Sequence, residues 1–269
     1  MMKVTCLIAL AFASLAQASP PTTELALDRR HEQPGVVDQV DSPPDLVDIE
    51  PSLIGGTVAD PADWPASPWI GNCSSTLVGP RVLLTAAHCV SDGGTVSFAL
   101  GSARYVATCD HHASYRSNST ADWALCYLTT EVAGVPFEAV ATTEEAACSA
   151  GRSYLWTGYG CTRWGQGIDG RFRTGTAQVT RCPGGTSYDT VTQGSVALCS
   201  GDSGGGGYVQ LPGGARKLVG VNSRSNTVDT SYVSSTYAAA FRDWAQAWGA
   251  AREAAICGVH VGATGCRGG

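Results

Sequence analysis

The chain has 269 residues, of which 43% are hydrophobic and 15% charged, with 33 glycines, 13 prolines and a formal charge of −6. This turn-rich, weakly charged composition reads as β-rich rather than as a coiled coil or a helix bundle, and the length suffices to bury the core of one large β domain or two small ones. The charge is unevenly spread: residues 19–52 hold eight acids against Arg29 and Arg30, and setting aside that stretch and Lys3 leaves 15 acids and 14 bases, so no basic footprint for nucleic acid exists.

In chain order, residues 1–18 combine the basic Lys3, an apolar run over 4–15 and the small-x-small ending Ala16-Gln17-Ala18, the pattern of a signal peptide. The run is too short for a permanent membrane anchor, so a secreted product with no membrane association after signal removal is expected. Residues 19–52 are acidic and proline-rich without hydrophobic periodicity, and read as a weakly ordered propeptide. From residue 53 to 269 short apolar runs alternate with Gly, Pro, Asn and Ser clusters, as in an antiparallel barrel or sandwich. Strands are predicted over 75–77, 81–84, 95–100, 123–128, 154–158, 176–180 and 217–222. Phe241, Trp244 and Trp248 fall on one face of a closing helix, with Ser234, Ser235 or Thr236 available as its cap. The tail over 256–269 is glycine-rich and carries Cys257 and Cys266, which read as a local staple. His111 and His112 lie in a polar turn-like stretch and are expected at the surface. Asn72-Cys73-Ser74 and Asn118-Ser119-Thr120 fit the glycosylation acceptor pattern.

Eleven cysteines are present, and Cys6 belongs to the leader. The remaining ten suit five disulfides and an oxidising, extracellular setting. No Cys-x-x-Cys pair occurs and the histidines show no ligand spacing, so neither a metal nor another cofactor is expected.

The chemistry concentrates in Cys199-Ser200-Gly201-Asp202-Ser203-Gly204-Gly205-Gly206, where Ser203 sits among residues too small to shield it. A hydroxyl is a poor nucleophile at neutral pH and needs a base to take its proton and N–H groups aimed at the oxyanion that forms. Thr85-Ala86-Ala87-His88-Cys89 follows the apolar run Val82-Leu83-Leu84 and places His88 on a tight turn at a strand end.

These two segments, in this order, resemble the chymotrypsin/trypsin family of secreted serine proteases, over roughly residues 53–248. The resemblance implies an all-β fold: two six-stranded antiparallel β-barrels with the active site between them, followed by a C-terminal helix. It implies a catalytic triad of His88, Asp122 and Ser203, with Asp122 opening the apolar stretch Asp122-Trp123-Ala124-Leu125. The oxyanion hole would be the backbone N–H groups of Gly201 and Ser203. The backbone around Ser223 would pair with substrate, its side chain supporting Asp122. Leu53, at the head of Leu53-Ile54-Gly55-Gly56, would become the mature amino terminus and insert beside Asp202. Of the disulfides, the resemblance implies Cys73–Cys89. The pocket residues would be Ala197 at the floor with Leu198, Ser225 and Val233, which favours small or medium apolar side chains over Lys or Arg. The implied partners are protein or peptide substrates, and a monomer is expected.

Four departures stand out: Gly206 replaces a usual proline, Ser52 rather than Arg or Lys precedes the expected cut, no cysteine follows Cys199 at the usual distance, and Arg224 stands where tryptophan is usual. Two other functions compete. Gly201-Asp202-Ser203-Gly204-Gly205 also fits the nucleophile elbow of a serine esterase or lipase, but only His260 follows the serine and Gly204–Gly207 is a poor helix start. A protease-like binding protein without activity is the non-enzymatic reading, and it would usually have lost a triad member.

Overall fold

In the computed structural model, which describes residues 53–267, the short apolar runs become two antiparallel sheets. The expected signal peptide and propeptide lie outside the described residues. The first sheet comprises β2 (Thr76–Gly79), β3 (Val82–Thr85), β4 (Thr95–Leu100), β5 (Ala103–His111) and β6 (Ala124–Leu128), in the order β2-β3-β6-β5-β4. β2 and β3 are buried at every position, which explains their continuous rather than alternating apolar sequence. β4 and β5 expose one face, and this sheet is a curled half-barrel in which β2 and β4 share no ladder.

The second sheet joins β7 (Ser153–Gly158), β8 (Arg173–Arg181), β9 (Asp189–Gln193), β10 (Gly206–Gln210), β11 (Arg216–Ser225) and β12 (Thr230–Ser235), with β1 (Thr57–Val58) along β8. Its order is β8-β7-β10-β11-β12-β9, and the β8–β9 pairing closes six strands into a barrel. Among the described residues the α-helices are a single turn, α1 (Thr143–Ala146), and the closing α2 (Ala239–Ala250). The expected all-β fold with a C-terminal helix is therefore present.

The apolar runs do not reach β5, β9, β10 or β12. β9 and β12 read Asp-Thr-Val-Thr-Gln and Thr-Ser-Tyr-Val-Ser-Ser, polar sequences held by cross-strand ladders rather than by a hydrophobic run. β10 opens with two glycines because the backbone of Gly207 lies against the Trp156 ring, where a Cβ would come within 2.0 Å of a ring carbon.

Register places the chemistry. Thr85 pairs with Ala124, so the chain leaving β3 and the chain entering β6 meet at one end, bringing His88 to Asp122. Gly206 pairs with Val221, so the segment before β10 runs back alongside the end of β11, bringing Ser203 to Ser223. Among the described residues there are five disulfides: Cys109–Cys126 joins the paired strands β5 and β6, while Cys73–Cys89, Cys148–Cys182, Cys161–Cys199 and Cys257–Cys266 brace connecting segments. Both the implied Cys73–Cys89 bridge and the tail staple are among them.

Two local expectations are corrected. His112 is buried rather than exposed: its ring packs edge-on against Trp123 and Trp244, its Nδ1 accepts the Ser114 N–H, and burial lowers its pKa. The polar look of its neighbours gave no sign of the two indoles it would meet. Ser234, Ser235 and Thr236 do not cap α2, whose N-cap is Ala238 with no side-chain bond. Two of the hydroxyls bond within the barrel instead, Ser235 with Thr190 and Thr236 with the Leu218 carbonyl, while that of Ser234 is buried without a partner.

Trp123, next to Asp122, is fully buried against Tyr188, Phe241 and His112, and so ties the first sheet to α2. Trp123→Ala should cost about 3–5 kcal/mol by loss of contact and creation of a cavity. Urea unfolding checks this, with a change at the fully exposed Val261 of the tail as the control, expected to stay within about 0.5 kcal/mol.

Candidate active site

Asp122 sits between β5 and β6, 2% exposed, and its carboxylate accepts three hydrogen bonds. The His88 main-chain N–H donates to Oδ1 at 2.9 Å, the His88 ring Nδ1 to Oδ2 at 2.6 Å, and Ser223 Oγ to Oδ2 at 2.6 Å. The double grip on main chain and ring fixes the imidazole, and Nδ1 as donor leaves Nε2 as the basic nitrogen. Nε2 makes no hydrogen bond to a nitrogen or oxygen among the described residues and lies 3.8 Å from the Cys89 sulfur. Ser203 is partly exposed. Its hydroxyl and Nε2 are not hydrogen-bonded here, as is common before substrate tightens such a site.

The main chain of Ser203 is held by Ser74, inside the stretch that reads in sequence as a glycosylation acceptor. The Ser74 N–H donates to the Ser203 carbonyl at 2.8 Å and the Gly201 carbonyl at 3.1 Å. Its hydroxyl donates to Gly201 O at 2.8 Å and accepts the Tyr159 N–H at 3.0 Å, while its carbonyl accepts Thr85 Oγ1 at 3.0 Å. The adjacent Cys73 is bonded to Cys89, next to His88, so one short segment reaches both candidate residues. Gly204 permits the approach: at φ +80°, a Cβ there would lie 2.1 Å from Thr85 Oγ1 and 2.3 Å from the Ser74 carbonyl. From the other side, the buried Asn222 side-chain amide donates to the Thr157 and Asp202 carbonyls, and the Asn222 main-chain carbonyl accepts the Gly204 N–H. The acceptor motif over Asn72-Cys73-Ser74 pointed to a different role for Ser74, and Asn222 carried no motif that could have singled it out.

Gly201 lies at φ +98°, a conformation suited to glycine, and its carbonyl is turned to Ser74. Its N–H and that of Ser203 donate to no acceptor among the described residues. Two uncommitted amides flanking a serine are the donors an oxyanion would require.

Asp202 is fully buried and its carboxylate faces inward, accepting the Gly160 N–H on Oδ1 and the Cys199 N–H on Oδ2, both at 2.8 Å. Glycine is required at 158 and 160, since a Cβ at either would fall within 2.5 Å of that carboxylate. The Cys161–Cys199 bridge clamps the same two segments and accounts for the missing downstream partner of Cys199. Burial pushes the Asp202 pKa up to about 7, against the two amides and the charge of Arg173. Leu53 is fully buried, and Ile54 bridges Ala197.

Of the other predicted residues, Ala197, Leu198 and Val233 are buried in the second barrel. Ser225 Oγ donates to the Leu198 carbonyl and Ser231 Oγ accepts the Leu198 N–H, so Leu198 is brought to Ser225 and β12. Cys73, His88 and Cys89 form a compact group of potential metal ligands, but the two sulfurs are joined to each other and supply no thiolate.

The family model described as Trypsin matches residues 53–245. A search of curated proteins found no match.

The Asp202 environment predicts a pH dependence of stability. A carboxyl whose pKa in the fold lies above its unfolded value of 3.8 holds its proton more tightly when folded. Its stabilising contribution is complete below 3.8 and disappears as pH rises through about 7. Unfolding of the full chain, compared between pH 4 and pH 8, should show this loss, and Asp202→Asn should flatten the difference. An unaltered pH slope in that variant would show that Asp202 does not titrate as its burial demands.

Proposed function

The chain belongs to the trypsin family, a family of serine protease hydrolases, and from that premise we propose that it is a secreted serine endopeptidase acting on protein or peptide substrates. The observation that carries this reading is the Asp122 carboxylate holding His88 by both its main-chain N–H and its Nδ1.

In the proposed mechanism a substrate peptide lies along the β11 backbone near Ser223 as an added strand. Ser203 Oγ attacks the scissile carbonyl carbon as His88 Nε2 takes the hydroxyl proton, and Asp122 stabilises the resulting imidazolium. The oxyanion is met by the Gly201 and Ser203 N–H groups. Collapse of the tetrahedral species breaks the C–N bond, His88 returning its proton to the leaving amine, and leaves an ester on Ser203. Water activated by His88 then hydrolyses that ester. No metal or cofactor enters these steps.

In the specificity pocket, Ala197 offers no carboxylate for a Lys or Arg side chain, and burying that cation unpaired is costly. Leu198 and Val233 make the surroundings apolar, with Ser225 at the wall. The proposed preference is for small or medium apolar residues, graded because a methylene changes discrimination by only about 1–3 kcal/mol. Peptide anilides ending in Ala, Val or Leu should give higher kcat/KM than those ending in Arg or Lys, and a serine-directed phosphonylating reagent should abolish turnover. Ser203→Ala, His88→Ala and their double variant should lose nearly all activity to a similar extent, because the groups act as a unit. Additive losses would argue against a shared mechanism. A folded chain inert towards every peptide and towards the reagent would favour the binding-protein reading, and hydrolysis of a fatty-acyl ester but not of casein would favour the esterase reading.

Maturation is proposed to free Leu53, whose α-amino group would neutralise the buried Asp202. The raised pKa of that carboxyl supports the need for a cation. With Ser52 before the cut, the activating enzyme would not be trypsin-like. Amino-terminal sequencing of the secreted active species should begin at or within one residue of Leu53. Full activity in a chain still carrying residues 19–52 would rule this out.

A further inference from the structure

Beside the His88–Asp122 pair lies a cavity of about 290 Å³ lined by His88, Tyr115, Ser119, Asp122, Ser223 and Arg224. Its one permanently cationic lining residue is Arg224. Arg224 follows a register shift in β11, pairs across the sheet with Tyr232, and lies with its guanidinium carbon 4.7 Å from the Tyr232 ring centroid. One end, Nη2, is bonded to Asp189, which is 1% exposed, while the arginine side chain remains 43% exposed. Nε and Nη1 donate to no acceptor among the described residues. A guanidinium has five N–H donors in a rigid fork, so a single anchor on Asp189 and a ring against one face leave an oriented set of donors free.

Neutralising Asp189 does not by itself require the cavity position. A guanidinium turned fully inward would satisfy both carboxylate oxygens, yet Asp189 Oδ1 is buried without a partner. The arrangement instead keeps half of the guanidinium at the cleft. In a substrate strand laid along Ser223–Ser225, successive side chains point to opposite faces. When the residue whose carbonyl is attacked points towards Ala197 and Leu198, the residue before it points towards His88 and Arg224.

We propose that Arg224 is a specificity-determining residue, which binds a carboxylate side chain on the substrate residue immediately preceding the one whose carbonyl is attacked. The proposal rests on the peptidase reading for the substrate's direction. The ligand chemistry follows from the donors: a planar anionic acceptor fits the free fork, an apolar side chain leaves it unbonded, and a lysine meets like charge. Tyr232 and Asp189 act as positioning residues, fixing the plane and the reach of the fork.

The test compares Ala-Ala-Glu-Val, Ala-Ala-Ala-Val and Ala-Ala-Lys-Val anilides as substrates of the mature protein. The expected kcat/KM order is Glu, then Ala, then Lys, with Glu over Ala by about tenfold at low salt, as for a charge-assisted hydrogen bond that is partly exposed. The margin should shrink at about 0.5 M salt. Arg224→Gln alone strands the buried Asp189, so the variant to use is Arg224→Gln with Asp189→Asn, in which the Glu-to-Ala ratio should fall to within about twofold. A ratio near one in the parent, or one that survives in the double variant, overturns the proposal. The same peptides, as free acids, are titrated into Ser203→Ala and into Ser203→Ala carrying the double change. There a Glu-over-Ala affinity ratio lost with Arg224 supports the assignment and equal affinities overturn it. A parent that hydrolyses none of the peptides defeats the peptidase reading, while the affinity ratio still decides the role of Arg224.

Discussion

A carboxylate taken out of water must be surrounded by donors, and Asp122, at the entry to β6, meets that demand with groups from two other stretches of chain: the turn after β3 and the end of β11. Removing one partner of such a buried charge costs about 3–5 kcal/mol, so the constraint holds the two sheets in one relation at this point. Its chemical by-product is an imidazole with a fixed ring plane and a fixed tautomer. The stabilising contact and the orientation of the candidate base are therefore one interaction.

A second constraint acts on the nucleophile segment. Ser74 spends its N–H, hydroxyl and carbonyl on Gly201, Ser203, Tyr159 and Thr85, and Gly204 has no side chain because the Thr85 hydroxyl and the Ser74 carbonyl occupy that space. The Cys73–Cys89 bridge limits how far His88 can drift from this hub. The Gly201 and Ser203 amides are left without acceptors while the Cys199, Asp202, Gly204 and Gly205 amides have found partners, and leftover amides in a rigid turn need no reorganisation when charge develops.

Buried acids recur around the cleft with different compensation. Asp122 has hydrogen bonds and a histidine; Asp189 has Arg224, yet burial still raises its pKa; Asp202 has two amides and no ion-pair partner among the described residues. Glu138, also fully buried, is matched by Arg216 and Arg267, with Arg216 stacked 3.4 Å over the Trp64 ring. The contrast separates Glu138 and Asp122, whose carboxylates are fully bonded, from Asp189 and Asp202, whose compensation is incomplete.

The sequence by itself determined the class of fold, the position of several strands, the buried face of α2 and the choice of His88, Asp122 and Ser203 as candidate residues. Each of these rests on a local signal, an apolar run, a helical stripe or a short motif, and local signals survive in a linear reading. Tertiary structure decided what depends on partners distant in the chain. Ser74 became the hub of the nucleophile turn only once β2 was packed beside it, and Cys161 became the partner of Cys199 only through the β7–β10 pairing. His112 was buried by two tryptophans from different elements, and the polar strands β9 and β12 acquired their places from ladders rather than from hydrophobicity. Arg224 shows the division in one residue. Its departure from the usual tryptophan was visible in sequence, but its direction was set by a buried aspartate 35 residues away and an aromatic ring on the next strand. A side chain's chemistry is written locally, whereas its partners are chosen by strand register, which no single stretch of sequence contains.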